Sequence, residues 1–454
     1  MKSYDVLVVG SGAGGSVASM AIHAGLRTAL IDRGPIGGTC VNTGCIPSKM
    51  LIYPADVIES LIGAEKLGIT AGDISIRFRD LMERMRETRA RNSTFTRSWI
   101  QQNPERLDFY EGEGRFLDDH VMEVGGISMQ AEKIFICTGA RPAIPPVEGL
   151  DGVPYLTNES VLELDSLPAD LAIIGGGYVA TEYAHFFAAM GTRVTVVQRN
   201  RFLVPEEEEE ISLALADALG KRMTLLTGTE VTSVRRGSGD IHLYGHDTDT
   251  GEDVHVQAGT VLVATGRRSN ADTLGLENTE IETNRRGYIV TNEYLETSVE
   301  NIWAVGDANG RQMFRHAANR EASIAWLNAT SPEKTAMDYG AVPHAVYSYP
   351  QVASVGLTER AARIDHQVLV GKAHYRDIAK GEAMGEERGF AKIIVDKETD
   401  RILGFHLIGP QAPLLIQEIV NAMSRGDTVE ALSGIHIHPS LSEIVPAVLR
   451  HLTD

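Results

Sequence analysis

One unit, used twice, constrains this chain more than any other feature. An apolar run, Val6 to Val9, leads into Gly10-Ser-Gly12-Ala-Gly14-Gly15; a helical stretch from Ser16 to Ala24 follows, then a second apolar strand, Thr28 to Ile31, ending at Asp32. The order returns as Leu171 to Ile174, Gly175-Gly-Gly177-Tyr-Val-Ala180, a helical stretch from Thr181 to Met190, and a strand from Arg193 to Val197 ending at Gln198. Strand–helix–strand crossovers of this length predict parallel sheets with helices laid on them. A chain of 454 residues has room for about two or three such domains.

A lone G-x-G-x-x-G is weak, because glycines mark many turns. Both copies here lie between a strand and a helix and are followed by a second strand, the setting in which the pattern binds a dinucleotide. The glycines let backbone N–H groups at a helix N-terminus close on a pyrophosphate, whose charge the helix dipole favours. Two tight turns without a ligand are the plain alternative. Asp32 stands where a carboxylate would accept hydrogen bonds from an adenosine ribose diol. Gln198 stands in the equivalent place, with Arg199 and Arg201 just after it. An uncharged amide beside arginines suits a ribose 2′-phosphate better than a free diol, so the second unit leans towards NADPH; solvated arginines are the alternative.

Each unit closes alike. Lys133-Ile-Phe-Ile-Cys137-Thr138-Gly139 ends the first and Val261-Leu-Val-Ala-Thr265-Gly266 the second, each an apolar strand running into Thr-Gly. Asn301-Ile-Trp-Ala-Val-Gly306-Asp307 repeats the pattern and sets a carboxylate at a strand end, where it reads as a ligand for a chain of sugar-like hydroxyls. The net charge of −19, without a basic tract, argues against nucleic acid or an anionic membrane. Any anionic ligand therefore needs local positive groups. No apolar run approaches the roughly 18 residues of a spanning helix. The strand-like run from Asp5 begins too early for a signal peptide to precede it. With only three cysteines the chain is no disulfide-stapled secreted scaffold, and a cytoplasmic setting is expected.

In a reducing compartment a close cysteine pair is more often redox-active or metal-binding than structural. Gly37-Gly38-Thr39-Cys40-Val-Asn-Thr-Gly44-Cys45-Ile-Pro-Ser-Lys49 holds such a pair. A disulfide needs Cα atoms about 4.4–6.8 Å apart, whereas residues i and i+5 of a regular helix lie about 9 Å apart. If Cys40 and Cys45 bridge, the chain between them is not regular helix, and Thr43-Gly44 offers the break. Zinc is the competing chemistry, but a closed site takes four ligands. Cys137 reads as a small buried hydrophobe instead, so no metal is expected. Glu206 to Glu210, straight after Pro205, reads as a solvated helix start with proline at the first helical position. Ser440-x-x-Glu443 is either a capping box or, with His438-Pro439, an imidazole and its carboxylate. The residues alone leave both open.

Together these motifs resemble the pyridine nucleotide–disulfide oxidoreductase family of flavoproteins, over nearly the whole chain. The resemblance implies an α/β fold with two Rossmann-like dinucleotide-binding domains and a C-terminal α+β dimerisation domain. Their expected extents are 1–150 and 269–335 for FAD, 151–268 for NAD(P) and 336–454 for the interface. It places Gly10, Gly12, Gly15 and Asp32 at the ADP half of FAD. Gly38, Thr39, Lys49, Gly114, Thr138 and Gly139 become further flavin contacts, Asp307 the ribityl ligand, and His316 a flavin neighbour or a helix-packing residue. Gly175, Gly177 and Ala180 match the nicotinamide-nucleotide loop, with Gln198, Arg199, Arg201 and Gly266 around it. Glu182 matches a glutamate beside the flavin that pairs with the lysine of the Cys motif, here Lys49; an exposed helix residue is the bland reading. Cys40 becomes the interchange thiol and Cys45 the thiol against the flavin. His438 becomes the acid/base and Glu443 its orienting carboxylate, both supplied by the second subunit of a homodimer.

The implied reaction moves electrons between NAD(P)H and a disulfide or dithiol through the cysteine pair. Cys45-Ile-Pro-Ser-Lys49 favours dihydrolipoamide dehydrogenase chemistry, with a lipoyl domain of a multienzyme complex as partner. Gln198, in place of the glutamate typical of that NAD site, and His316-Ala-Ala-Asn319-Arg-Glu321 point instead to reductases of glutathione, mycothiol or coenzyme A type disulfides. The end, Arg450-His-Leu-Thr-Asp454, lacks the extra cysteine pair of mercuric reductases. A flavoprotein electron-transfer or redox-sensing subunit that acts on a protein partner is the reading from another class.

Overall fold

The apolar runs become central strands. In the computed structural model, which describes residues 1–454, Lys2–Val9 is flanked in parallel by Thr28–Asp32 and Ile127–Ile136. Leu107–Glu111 lies beyond Thr28–Asp32, and Ile302–Ala304 pairs along Ile127–Ile136. Antiparallel Val121–Val124 and Arg115–Asp118 complete a seven-stranded sheet. Val6, Leu7 and Val8 are fully buried, because a parallel strand covered on both faces leaves no solvent side for polar alternation. Helix Gly14–His23 leaves the first glycine loop.

The second copy builds a four-stranded parallel sheet: Asp170–Ile174 between Arg193–Gln198 and Val261–Val263, with Thr224–Thr227 outermost. Helix Tyr178–Ala189 leaves its glycine loop. Thr229–Arg236, Ile241–Asp247 and Asp253–Ala258 form an antiparallel three-stranded sheet. Towards the C-terminus, five antiparallel strands run in the order His344–Val346, Val352–Gly356, Ile402–Ile408, Phe390–Asp396, Val368–His374. Helices Ala412–Ser424 and Ile444–Leu449 share one apolar core with that sheet. The residues group into two units: Met1–Met50, Asp80–Ala143 and Gly266–Asp338 in one, and Leu51–Arg79, Ile144–Thr265 and Tyr339–Asp454 in the other. No helix is long and apolar enough to cross a membrane.

The acidic run departs from expectation. The helix is Glu209–Leu219, Pro205 stands in the turn ahead of it, and the Glu207 and Glu208 side chains are 0% and 6% exposed. Glu207 sits 2.8 Å from His344 Nε2 and accepts from Ser354 Oγ at 2.5 Å. Burial pushes its carboxyl up, but His344 and Ser354 outweigh burial and hold it below the usual range. Lys392, 4% exposed, lies 3.2 Å from both Glu208 and Glu210 and 2.6 Å from Glu359. Carboxylates can be buried here because each has a partner, and those partners come from the five-stranded sheet and the helix beside it. Glu207 and Glu208 thus belong to an internal ion network, whereas Glu206 and Glu209 are exposed and Glu209 and Glu210 stand in the first helical turn, as a solvated helix start requires.

Candidate active site

The two glycine loops obey the same steric rule. Gly10 has φ +100°, and a Cβ there would stand 2.3 Å from the Cys137 carbonyl oxygen. Gly175 has φ +121°, and its Cβ would stand 2.3 Å from the Ala264 carbonyl oxygen. The first glycine of each loop is thus pressed onto the strand that runs into Thr-Gly, which explains why the two signatures recur together. Only glycine tolerates both the left-handed backbone and that approach. The close helix–strand contact in the first unit belongs to Gly14, not Gly15: a Cβ on Gly14 would meet Val8 at 2.6 Å, whereas Gly15 has nothing within 4 Å. In the second unit Ala180 is fully buried, and Gly177 has nothing within 4 Å. Gly38 crosses Gly12 so closely that its Cβ would stand 2.7 Å from Gly12 Cα.

The strand ends then differ. Asp32 accepts from the Ser11 N–H at 2.5 Å and the Gly34 N–H at 2.6 Å, so its carboxylate is fixed beside the loop. Gln198 is buried, packed 2.7–2.9 Å from the Cβ position of Gly176, and its amide donates to the Phe202 carbonyl at 3.3 Å. Arg199 is 3.7 Å from Glu230, and the Arg201 guanidinium lies over the Phe202 ring at 5.4 Å.

The other flavin-related positions gather in the first unit. The Thr138 hydroxyl is buried with no hydrogen-bond partner, while its carbonyl accepts from Asn270 Nδ2 at 2.8 Å. Gly139 and Gly266 take φ +66° and +122°, each with nothing within 4 Å of its Cβ position. Gly114 packs on Ile31, its Cβ position 3.2 Å from Cγ2. Asp307 stands in the turn Gly306–Ala308, 3.1 Å from Arg267 Nε. Fully buried Glu321 ties that turn down, accepting from the Gly306 N–H at 2.5 Å and Asn309 Nδ2 at 3.1 Å. His316, exposed, stacks on Phe314 at 5.6 Å. A glycine seam, a carboxylate at the ribose position and a buried hydroxyl awaiting a partner fit FAD. Glu182 belongs to the second unit and is 7% exposed; its carboxylate accepts from the Tyr347 N–H at 3.1 Å, so it is no solvated helix residue.

The thiol pair straddles a broken helix. Cys40 lies in Gly38–Asn42 and Cys45 opens Cys45–Ile62, with Thr43 off helical geometry between them. Gly44 fits closely there: its Cβ would stand 3.0 Å from the Thr39 carbonyl oxygen. Buried Asn42, which no motif singled out, laces the segment: its amide donates to the carbonyls of Pro35, Ile36 and Gly38 at 2.9–3.1 Å. Cys40, half-buried, is hydrogen-bonded to exposed Cys45. That bond first, then burial, holds the Cys40 thiol well above its usual range, against the charges of Arg315 and Lys49. Lys49 also reaches Ser48 Oγ at 3.4 Å. Cys137 is buried, and burial raises its thiol as expected of a packing residue.

Near the C-terminus both readings of Ser440-x-x-Glu443 hold at once. Ser440 and Glu443 form a reciprocal capping box, with the Ser440 N–H donating to Glu443 Oε2 at 3.0 Å. The other oxygen, Oε1, is 2.9 Å from His438 Nδ1. The cap fixes the carboxylate, and the carboxylate fixes the imidazole, whose side chain is 70% exposed. The Ser440 N–H first, then His438, holds the Glu443 carboxyl below its usual range. His436, by contrast, is 9% exposed and held by Glu418 at 3.2 Å.

Comparison with known proteins covers the whole length. Residues 4–322 match the family model described as pyridine nucleotide-disulphide oxidoreductase, and residues 342–448 match its dimerisation domain. The chain is 34% identical to dihydrolipoyl dehydrogenase of Bacillus subtilis, covering 97% of this chain and 96% of that one. It is equally 34% identical to mycothione reductase of Mycobacterium tuberculosis, over 99% of both. Among solved structures, the HOCl-induced flavoprotein disulfide reductase RclA of Escherichia coli, in a Cu(II) complex, superposes with a TM-score of 0.88 at 28% identity over 99% of each chain.

Proposed function

The chain belongs to the pyridine nucleotide-disulphide oxidoreductase family, and on that footing we propose that it exchanges electrons with a dithiol or disulfide through Cys40 and Cys45, with dihydrolipoamide as the first substrate. The family uses FAD and NAD(P)H. When bound, FAD carries electron pairs between the nicotinamide and the thiol pair. Gly10, Gly12, Gly15 and Asp32 would hold its ADP half; Gly38, Thr138, Gly139 and Asp307 would hold the remainder; Gly175, Gly177 and Ala180 would take the nicotinamide nucleotide.

In the reducing direction, Cys40 Sγ bonds to one substrate sulfur while the substrate S–S bond breaks. Cys45 Sγ then bonds to Cys40 Sγ, the mixed disulfide breaks, the Cys45 proton passes to the second substrate sulfur, and two substrate thiols have left. Oxidation of a dihydrolipoamide is the same sequence reversed. Because the Cys40 thiol is held high, its attack needs a base, and exchange needs an acid for the leaving sulfur. His438, oriented by Glu443 and contributed by a second copy of the chain, takes the Cys40 proton and returns it to the leaving sulfur.

The observation that carries this reading is the thiol–thiol hydrogen bond across the Thr43-Gly44 break. Steady-state assays with lipoamide, glutathione disulfide, mycothione and bis-coenzyme A disulfide, each with NADH and NADPH, test it. Lipoamide is expected to give the highest kcat/KM, and Cys40→Ser or Cys45→Ser to abolish turnover. Sustained turnover in either variant defeats the mechanism. A second reading, an NADPH-dependent reductase of a mycothiol-type disulfide, is favoured by the uncharged Gln198 at the strand end; preference for mycothione with NADPH would decide for it.

A further inference from the structure

A pyrophosphate in the first unit would enter a chain whose net charge is −19, beside Asp32 and near Asp307. Local positive charge must offset that field. Arginines of this unit are mostly committed: Arg33 to Glu113 at 3.1 Å, Arg141 to Asp272 at 2.7 Å, Arg267 to Asp307 at 3.1 Å. Arg315 is not. It is the first residue of the 16-residue helix Arg315–Thr330, is partly buried, and has no acidic partner. Its Nη1 lies 3.9 Å from the Cβ position of Gly12, a point equally 3.9 Å from Gly38 Cα. Beside these two crossing backbones Gly15 leaves open space. The Arg315 charge also reaches Cys40, where it opposes the effects of Cys45 and burial. The guanidinium therefore stands where glycine loop and cysteine segment meet.

We propose that Arg315 is the cationic ligand of the FAD pyrophosphate, standing at the Gly12–Gly38 crossing and donating to a phosphate oxygen there. This rests on the FAD-dependent reading above. Backbone N–H groups of the loop supply partial charges, whereas a guanidinium supplies a full one with paired donors suited to phosphate.

The experiment is titration of flavin-stripped protein with FAD, followed by flavin fluorescence, with ADP as competitor and riboflavin as the phosphate-free control. Arg315→Gln should weaken FAD and ADP alike by about 10- to 100-fold, the range of one charge-assisted hydrogen bond. Arg315→Lys should recover part of the loss, riboflavin binding should be unchanged, and thermal midpoints of the stripped proteins should agree. Equal FAD affinity in wild type and Arg315→Gln overturns the assignment, as does a loss that riboflavin shares. Unchanged FAD affinity with an altered pH profile of Cys40 alkylation overturns it too, by making Arg315 a residue that tunes the thiol. A wild type unable to bind FAD overturns both this assignment and the reading on which it rests, and so is distinguishable from failure of Arg315 alone.

Discussion

Asp32 and Gln198 end corresponding strands in two copies of one device, yet they are held in different ways. The Asp32 carboxylate accepts from two backbone N–H groups and stands fixed beside its loop. Gln198 lies buried under Gly176, with its amide turned to the Phe202 carbonyl. Much around this difference is shared: a left-handed glycine whose Cβ would stand 2.3 Å from a backbone carbonyl oxygen, an open glycine at the helix start, and the helix itself. The shared part can seat a pyrophosphate of any dinucleotide. On the proposed reading, choice of nucleotide falls to the residue at the strand end and its immediate neighbours.

The hardest test of that comparison is to damage the shared part in one copy at a time. Ala at position 10 or 175 suffers the left-handed penalty of about 1–2 kcal/mol and overpacking of about 1–3 kcal/mol. Gly10→Ala should therefore purify with little flavin absorbance. Gly175→Ala should retain flavin yet lose NAD(P)H oxidation. Loss of flavin from both would show that the copies do not act separately.

A second test asks whether thiol chemistry is separable from both copies. His438→Ala should lower disulfide reduction by about 10²–10⁴-fold, the usual worth of general acid–base catalysis, while NAD(P)H oxidation by an artificial acceptor is unchanged. Glu443→Gln should follow in the same direction with a smaller loss. Mixing Cys40→Ser and His438→Ala chains under exchange should restore part of the activity, because one site per mixed dimer would be whole. Verified mixed dimers without recovery would defeat the shared site.

How far these elements were legible depends on the distance over which their causes act. The two strand–glycine–helix frames were legible because each is local, and periodicity and glycine spacing suffice. That Gly14 makes the close contact depends on where the Val8 and Cys137 side chains point, which glycine spacing does not record. The burial of Glu207 and Glu208 was illegible because Lys392 is 184 residues from Glu208, and a run of carboxylates looks solvated until its partner is known. Ser440-x-x-Glu443 showed two local alternatives that the structure joins, one carboxylate oxygen for each. Arg315 belongs to no spacing pattern, so only its position against Gly12 reveals it.

Smaller effects probe the strand ends. Asp32→Asn removes the charge that a ribose diol would meet and should weaken FAD by about 10- to 100-fold. Gln198→Glu should move nicotinamide preference towards NADH by about tenfold and leave FAD retention alone, which reconstitution and kcat/KM ratios would check. Similar effects of both changes on FAD would break the assignment of one residue to one nucleotide. The thiol pair offers a comparable shift with pH. Since Cys45 and burial raise the Cys40 thiol, Cys40 keeps its proton above the ordinary range near pH 8.5. Its alkylation in reduced protein should therefore lag a free thiol as pH rises, and Cys45→Ser should shorten the lag. Mass spectrometry of alkylated peptides would show whether it does.

The smallest expected effect lies at Arg199, and its sign carries the information. Arg199 is 70% exposed and only 3.7 Å from Glu230, and such surface pairs are worth about 0.2–1 kcal/mol. If Arg199 meets the 2′-phosphate of NADPH, Glu230 competes with that phosphate for the same guanidinium. Arg199→Ala should then lower the NADPH:NADH ratio of kcat/KM by about two- to fivefold. Glu230→Gln should change the ratio the opposite way by a smaller factor, since it releases the guanidinium without adding charge. Both shifts should fade as ionic strength rises, because the site is open to solvent. Arg201 supplies the control: its guanidinium is engaged over the Phe202 ring, so Arg201→Ala should move the ratio less than Arg199→Ala does. If Arg199→Ala and Glu230→Gln shift the ratio in the same direction, the pair is merely solvated surface, and the nucleotide preference of the second copy rests on Gln198 alone.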